Sequence, residues 1–195
     1  MLINENSQEG EIDRQSFFTA KFIDPESVIA QLDLQKEMIV ADFGSGAGYF
    51  TLPIAKKIDG SGTVYALDVI SQKLEAVLSK AKSLGLNNVV AKRVNLENEG
   101  GSGLENESVD YVIMKDMLFQ NKNKDQVIKE ARRILKIGGK ILIVEWSSED
   151  FSIGPEKKLR IYKESVTELA QKKGFRLSKE VSAGNFHYGL IFEAV

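Results

Sequence analysis

One segment constrains the fold more than any other: Val40–Phe50, with the sequence VADFGSGAGYF. It passes from an apolar, strand-like run through three alternate glycines into Thr51–Ile58, which has helical spacing. Glycine lets the backbone turn tightly and lets a ligand approach it closely, and the free N–H groups of a helix N-terminus attract anionic or polar atoms. The spacing differs from the G-x-G-x-x-G of dinucleotide-binding proteins, because Tyr49 stands where a glycine is needed. The segment predicts a ligand-binding strand–turn–helix unit, with an ordinary tight turn as the alternative.

The rest of the chain alternates short β-branched runs with longer runs of helical spacing. Strands are predicted at Met38–Phe43, Thr63–Leu67, Asn88–Val94, Val109–Met114 and Lys140–Glu145. A first helix is predicted to begin at Pro25, with Asp24 as its N-cap. Four further helices are predicted at Thr51–Ile58, Ser71–Leu84, Asn123–Leu135 and Glu156–Lys173. The pair Gly138 and Gly139 is expected to stop the fourth helix. The apolar faces of the third and fifth helices are predicted to hold Leu74, Val77, Leu78 and Ala81, and Tyr162, Val166, Leu169 and Ala170.

The last two strand-like runs, Phe175–Ser182 and Tyr188–Val195, are separated only by the turn-forming residues 183–185. No helix fits between them, so they are expected to pair antiparallel. The pattern predicts an α/β fold: a doubly wound, mostly parallel seven-stranded sheet that helices cover on both faces and that ends in an antiparallel hairpin. Ligands of such sheets bind at the carboxyl ends of the strands.

Composition excludes several classes of site. The chain has 195 residues, no cysteine and one histidine, which removes disulfide frameworks, thiolate zinc sites and multi-histidine metal sites, so no metal site is predicted. The formal net charge of −2 disfavours nucleic acid as a partner. The most apolar run, Ile141–Val144, is of strand size, far short of the roughly 20 residues of a membrane-spanning helix.

The N-terminal region is set apart from the rest. Residues 1–23 are interpreted as a flexible segment and residues 24–195 as one domain. The segment lacks the basic start and apolar middle of a signal peptide, so a cytoplasmic location is expected. Phe17, Phe18 and Phe22 are expected either to form a lid over the ligand or to pack against the sheet.

Asp68 ends the second predicted strand, 20 residues after Gly48. An acid at this place can accept hydrogen bonds from both hydroxyls of an adenosine ribose. Helix capping is the alternative role. Together with the glycine loop, Asp68 predicts a nucleoside-binding crevice.

These residues resemble class I S-adenosylmethionine-dependent methyltransferases. Asp42–Gly48 is similar to the first motif of that family, acid-x-Gly-x-Gly-x-Gly, and Asp68 matches its ribose-binding acid. Three further segments match the motifs of the third, fourth and fifth strands: Val94–Leu96, Ser108–Val112 and Glu130–Lys140. The similarity runs from about residue 22 to the end of the sequence and is closest to the small methyltransferases related to those of ubiquinone and menaquinone biosynthesis.

The resemblance implies S-adenosylmethionine as the cofactor. Its amino-acid end would lie over the glycine loop, its ribose on Asp68, and its adenine between Val69 and Leu96, near Asn95. Lys115 and Asp116 would border the sulfonium and the substrate, while Asp42 orders the loop. The implied cofactor-binding residues are Asp42, Gly44, Ser45, Gly46, Gly48, Asp68, Val69, Asn95, Leu96 and Lys115.

A general base is needed only for an acidic carbon, a hydroxyl or a charged amine. The candidates are Asp116, Glu145 and His187, all expected near the carboxyl rim of the sheet or in the final hairpin. Each has a structural alternative: Asp116 can cap a turn, Glu145 can pair with a lysine or cap the next segment, and a lone histidine in a hairpin is usually structural.

The chain departs from the family at several positions. Ile137 stands where relatives often have proline, and Met117–Gln120 stands where relatives often carry histidine, which puts a transferred catalytic role there in doubt. Relatives that methylate arsenic use cysteines, so that activity is not supported. The basic cluster of Lys157, Lys158, Arg160 and Lys163 is interpreted as a solvated helix face, with RNA or an acidic substrate as the lesser alternative.

The predicted function is transfer of a methyl group to a small-molecule acceptor. The acceptor region is expected in the N-terminal segment, the loop after Asp116 and the stretch between Trp146 and Pro155. Three alternatives remain: a non-catalytic relative that binds the cofactor as a partner or regulatory subunit, a nicotinamide-dependent oxidoreductase, and an RNA methyltransferase, which the acidic balance disfavours.

Overall fold

The computed structural model describes residues 22–195, which build one seven-stranded sheet. The strands are β1 (Ile39–Phe43), β2 (Thr63–Asp68), β3 (Val89–Arg93), β4 (Val109–Lys115), β5 (Leu135–Trp146), β6 (Phe175–Ser182) and β7 (His187–Ala194). The helices are α1 (Pro25–Ile29), α2 (Thr51–Lys57), α3 (Ser71–Ser83), α4 (Lys124–Ile134) and α5 (Lys163–Lys172). Short 3₁₀ turns lie at Leu118–Gln120 and Lys157–Leu159.

The sheet has the order β3-β2-β1-β4-β5-β7-β6. Strands β1 to β5 are parallel, and β7 lies antiparallel between β5 and β6. The predicted fold class is confirmed. The direction of winding reverses between the neighbours β1 and β4, and the loops that leave their carboxyl ends diverge to opposite faces there. Such a switch point opens the crevice in which doubly wound proteins bind their ligands.

Both faces of the central strands β1 and β4 are buried, which explains why these strands are nearly continuous apolar runs. On β1, Val40 points to the face that α1 and α2 cover, where it packs with Val28 and Ile54. Ala41 and Phe43 point to the opposite face, under α4 and α5. The start of α1 matches its prediction: the Asp24 carboxylate accepts hydrogen bonds from the backbone N–H groups of Glu26 and Ser27.

The predicted helix Glu156–Lys173 is wrong in its first half. The chain forms one 3₁₀ turn at Lys157–Leu159, becomes extended at Arg160 (φ −70°, ψ 146°), and enters α5 only at Lys163. Tyr162, expected on the buried face, is 57% exposed at the N-cap position. Apolar periodicity cannot reveal this break, because its cause is the set of hydrogen bonds that Arg160 makes.

Two other boundaries also differ from the prediction. The fourth helix ends at Ile134, one residue before its predicted end, but the glycine pair does not stop it, because Leu135 already pairs with Val109 at the start of a longer β5. The glycine pair lies within an irregular stretch of that strand, where Gly138 has a positive φ of +75°. On α3, Leu78 is exposed although its spacing predicts burial.

No helix within residues 22–195 is long and apolar enough to span a bilayer. Phe17 and Phe18 lie outside the described residues, so the division at residue 23 and the lid role stay predictions.

Candidate active site

A cavity of about 380 Å³ opens at the carboxyl ends of the parallel strands β1, β2, β3 and β4. Its walls come from Gly44 after β1, Asp68–Ile70 after β2, Val94–Leu96 after β3, and Lys115–Met117 after β4. Lys73, Gln120 and Asn121 complete the lining. The cavity therefore lies at the switch point, where the sequence places most of the predicted cofactor residues.

The glycine loop meets this cavity at Gly44, while Ser45, Gly46 and Gly48 lie outside its lining. The N–H groups of Gly44 and Ser45 both donate to the Leu67 carbonyl, at 2.8 and 3.0 Å, which ties the loop to β2. Gly46 has φ +54°, and a Cβ added there would meet no atom within 4 Å, so its side is open. At Gly48 the corresponding space is filled, because an added Cβ would lie 3.1 Å from the Leu52 side chain.

Asp68 joins the glycine loop to the start of α3. One carboxylate oxygen accepts from the Gly46 N–H at 2.9 Å, and the other accepts from the Ile70 N–H at 2.9 Å. Each carboxylate oxygen can accept more than one hydrogen bond. Asp68 is therefore held in place by the backbone and still able to accept from a ligand.

Asp42 lies beneath the loop instead of in the cavity wall. Its carboxylate accepts from the Thr51 hydroxyl at 2.6 Å, at the first residue of α2. Burial raises the pKa of Asp42 to about 7, against the opposing hydrogen bonds from Thr51. This position suits the loop-ordering role predicted for Asp42.

The cavity fits a nucleoside-type ligand such as S-adenosylmethionine. The Ser45 hydroxyl is buried in the glycine loop and has no hydrogen-bond partner in the described chain. Such a group is normally satisfied by a ligand or water. At the β3 side, Leu96 is buried and Val69 is 54% exposed, so both offer apolar surface where the adenine is expected. The Asn95 side-chain oxygen accepts from the Glu97 N–H at 3.0 Å, which shapes the loop there.

Asp116 is a charged group on the cavity wall. Its carboxylate pairs with Lys115, and His187 Nε2 lies 3.1 Å from Asp116 Oδ1. Burial acts to raise the pKa of Asp116, but the hydrogen bond from His187 and the charge of Lys115 outweigh it and hold that pKa below its usual value. The backbone of Asp116 is left-handed (φ +51°), and its N–H donates to the Val144 carbonyl at 2.8 Å.

Glu145 is placed behind the loop that follows β4, outside the cavity lining. Its Oε1 accepts from the Met117 and Leu118 N–H groups, at 2.9 and 2.6 Å. Burial raises the pKa of Glu145 to about 8, in spite of these hydrogen bonds. The geometry favours an anchoring role, close to the alternative in which Glu145 caps a neighbouring segment.

His187 stands behind Asp116. Its side chain is only 3% exposed, and its ring packs on the Trp146 ring with centroids 4.2 Å apart. Of the three candidate bases, Asp116 therefore borders the cavity, His187 contacts Asp116 from the protein side, and Glu145 holds the adjacent backbone.

Some contacts near the site were not predicted. The Tyr49 hydroxyl donates to the Ile23 carbonyl at 2.5 Å, and Lys115 Nζ lies 5.7 Å from the Tyr49 ring centroid. The Tyr49 ring thus joins the N-terminal region to the rim of the site. The only sequence signal was a tyrosine where dinucleotide-binding proteins need glycine.

Aromatic rings lie beside His187. The Phe186 ring is 5.3 Å from Phe22 and 4.9 Å from Phe151, centroid to centroid. They bring together the N-terminal region, the stretch after Trp146 and the final hairpin, two of which were predicted to contribute to the acceptor region.

A doubly wound sheet with a glycine loop at its switch point, and a carboxylate at the end of the next strand, defines a nucleoside-binding α/β protein. A family model described as a methyltransferase domain matches residues 34–187 of this chain. The chain therefore belongs to the methyltransferase domain family. This membership confirms the predicted family, and S-adenosylmethionine is the cofactor it implies.

Individual relatives agree with this assignment. The chain is 28% identical to a ubiquinone/menaquinone biosynthesis C-methyltransferase of Haemophilus ducreyi, over 60% of this chain and 45% of that protein. It is also 28% identical to an arsenite methyltransferase of Aquipseudomonas alcaligenes, over 52% of this chain and 31% of that protein. The chain thus spans less than half the length of these two relatives.

The fold has a near match among solved structures. A SAM-dependent methyltransferase from Aquifex aeolicus superposes with a TM-score of 0.81 and 25% sequence identity, over 89% of this chain and 91% of that one.

Proposed function

We propose that this chain transfers a methyl group from S-adenosylmethionine to a small-molecule acceptor that meets the protein at Asp116. The observation that carries the proposal is the position of Asp116, a charged carboxylate at the β4 end of a cavity whose β2 and β3 ends suit a nucleoside. Asp68 would hold the ribose, Ser45 and the glycine loop the amino-acid end, and Val69 and Leu96 the adenine.

The sulfonium methyl of the bound cofactor supplies the electrophile. The chain's own contribution is to place the acceptor in line and to exclude water, and alignment of this kind is worth on the order of 7–11 kcal/mol in favourable cases. Asp116 would accept a hydrogen bond from an N–H or O–H group of the acceptor. Its negative charge would also stabilise the positive charge that develops on a neutral nucleophile as it gains the methyl group.

The low pKa of Asp116 limits what it can do as a base. A weakly basic carboxylate orients and stabilises better than it abstracts a proton. We therefore propose acceptors whose attacking atom is nucleophilic without losing a proton first, such as neutral amines. Arsenite methylation is not part of the proposal, because the chain has no cysteine. The cytoplasmic location stays a prediction.

The test has two parts. Calorimetric titration with S-adenosylhomocysteine and, separately, with NADH should show binding of the first only. Release of S-adenosylhomocysteine from S-adenosylmethionine is then measured over a panel of amines, phenols and acidic carbon compounds. For any acceptor found, Asp116→Asn should lower kcat and leave the affinity for S-adenosylhomocysteine within about twofold, while Asp59→Asn, at an exposed surface ion pair, should change neither.

The second candidate function is a non-catalytic cofactor-binding partner subunit. It is favoured by the position of Glu145, which is outside the cavity lining and accepts from the Met117 N–H, and by the weak basicity of Asp116. Tight binding of S-adenosylhomocysteine with no turnover on any class of the panel would select this candidate. Absence of binding by folded protein would overturn both.

A further inference from the structure

Arg160 is buried at the centre of the loop that follows β5. It donates five hydrogen bonds to backbone carbonyls, at 2.8 to 3.5 Å, and these belong to alternate residues: Ser147, Glu149, Phe151, Ile153 and Pro155. A guanidinium carries five N–H donors. Every donor is therefore used within the loop, and no carboxylate of the described chain forms an ion pair with Arg160. Arg160 is equipped to organise the loop and not to bind a ligand.

The same loop fixes the Trp146 ring. The guanidinium carbon of Arg160 lies 5.8 Å from the centroid of that ring. Gly154, in the same loop, has φ +84°, and a Cβ added to it would lie 2.6 Å from ring atoms of Trp146. The loop backbone therefore lies directly against the indole and leaves it little freedom to move.

Trp146 in turn limits the position of His187. The two residues are register partners on β5 and β7, and their ring centroids are 4.2 Å apart. His187 Nε2 then reaches the Asp116 carboxylate, with Oδ2 at 3.3 Å as its hydrogen-bond partner and Oδ1 at 3.1 Å. The contacts form a continuous row from Arg160 through Trp146 and His187 to Asp116, which is the only one of the four on the cavity wall.

We propose that Arg160 is a positioning residue that holds Asp116 in place through Trp146 and His187. A group that must meet its partner within a fraction of an ångström needs support from neighbours whose own conformations are fixed. The inference rests on the proposed function, in which Asp116 meets the acceptor. It assigns a role to the loop between Trp146 and Arg160 that the cofactor cavity does not require.

The chain provides its own probes, since it contains one histidine and one tryptophan. Nitrogen-15 NMR of the His187 ring reports the hydrogen bond from Nε2–H to Asp116, and Asp116→Ala, which removes the acceptor, supplies the reference spectrum for its loss. In Arg160→Gln, the His187 ring signals should move toward that reference. The Trp146 emission should become more accessible to acrylamide, and the affinity for S-adenosylhomocysteine should stay within about twofold of wild type.

Lys158→Gln is the matched control, because Lys158 is in the adjacent 3₁₀ turn and makes only an exposed ion pair with Glu156. It should leave the His187 and Trp146 signals unchanged. Gly154→Ala is the second test, since it displaces Trp146 without removing a charge, and it should move the His187 signals in the same direction. Arg160→Lys keeps the positive charge but not the planar guanidinium with its five donors, so its His187 and Trp146 signals should lie between those of wild type and those of Arg160→Gln.

Wild-type His187 signals in folded Arg160→Gln or Gly154→Ala protein would overturn the proposal. So would a change in those signals that appears only together with a loss of S-adenosylhomocysteine affinity. Failure of the wild-type chain to bind S-adenosylhomocysteine would instead overturn the proposed function, so the two failures are distinguishable. Once an acceptor has been identified, Arg160→Gln should lower kcat for that acceptor by up to about 100-fold and leave the KM for S-adenosylmethionine unchanged.

Discussion

Asp116 and Glu145 lie at the ends of adjacent strands, yet their pKa values move in opposite directions. Both are buried, which by itself penalises a charged carboxylate. Asp116 has Lys115 and His187 beside it, and they hold its pKa below the usual value. Glu145 has only backbone N–H groups and the like charge of Asp116 nearby, so burial dominates and its pKa rises to about 8.

The raised pKa of Glu145 predicts a pH-dependent stability. The folded pKa of about 8 lies above the ordinary value of 4.5, so between these two pH values the folded chain keeps a proton that the unfolded chain has released. The free energy of unfolding should therefore fall as pH rises through this window, by at most about 1.4 kcal/mol per pH unit from this group. Glu145→Gln should remove that slope, as measured by urea unfolding at pH 5.5, 6.5 and 7.5.

Two comparisons control the Glu145 measurement. Asp42, with a pKa of about 7, adds the same slope to wild type and variant and cancels in their difference. Glu75→Gln, on the exposed side of α3, should keep the wild-type slope. Equal slopes for wild type and Glu145→Gln would show that Glu145 is ionised in the folded chain across the whole range.

Asp68 is predicted to carry cofactor affinity. Asp68→Asn keeps the shape of the side chain but removes the charge, and a hydrogen bond to a charged group is worth about 1.5–3 kcal/mol. The Kd for S-adenosylhomocysteine should rise about 10- to 100-fold by calorimetry. Unfolding without ligand measures the separate cost of disturbing the Gly46 and Ile70 hydrogen bonds. An unchanged Kd would remove Asp68 from the ribose site.

At the scale of elements, Gly46 of the glycine loop can be compared with Gly85, which lies in the turn after α3. Gly46 and Gly85 both have positive φ, +54° and +69°, and open space where a Cβ would go. An alanine at either position should cost about 1–2 kcal/mol of stability from backbone strain. Only Gly46→Ala should also weaken S-adenosylhomocysteine binding, because the Gly46 N–H donates to Asp68 on the cavity wall, whereas Gly85 follows α3 and contributes nothing to that wall. Calorimetry and thermal unfolding of both variants separate the two effects.

Element positions were predictable where a local pattern decides them. Strands β1 to β4 begin and end within one residue of their predicted limits, because short apolar runs between polar turns leave little choice. The break at Arg160 was not predictable, since its hydrogen bonds are invisible to apolar spacing and a basic residue there suggested a solvated face. The irregular start of β5 was hidden for a similar reason, because a glycine pair ordinarily ends a helix.

The candidate site was predictable at its cofactor end and not at its acceptor end. Asp68 and the glycine loop follow from motifs near each other in sequence. The contact between Asp116 and His187 joins residues 71 positions apart. It depends on β7 lying between β5 and β6, a choice that hairpin patterning alone does not make. Asp116, Glu145 and His187 were named from the sequence as candidate bases only. That Asp116 lines the cavity, Glu145 accepts from the backbone behind it and His187 contacts Asp116 required the three-dimensional arrangement.

At the scale of the whole molecule, the cavity joins loops from four strands, so a ligand there should stabilise the entire sheet. S-adenosylhomocysteine at about 100 times its Kd should add about 2.7 kcal/mol to the free energy of unfolding. For a chain of 195 residues this corresponds to a rise in Tm of roughly 5–10 °C. NADH at the same concentration should leave Tm unchanged. A rise with NADH alone would favour an oxidoreductase instead.

The position of β7 between β5 and β6 has a consequence for synthesis of the chain. Strand β6 emerges from the ribosome before β7, but within residues 22–195 it pairs with β7 alone. The edge of β5 likewise stays uncovered until His187–Ala194 has been made. Domains generally fold as units during synthesis. The residues that line the cavity, from Gly44 to Asn121, have all been made before β7, whereas the contact between His187 and Asp116 can form only once β7 has been synthesised.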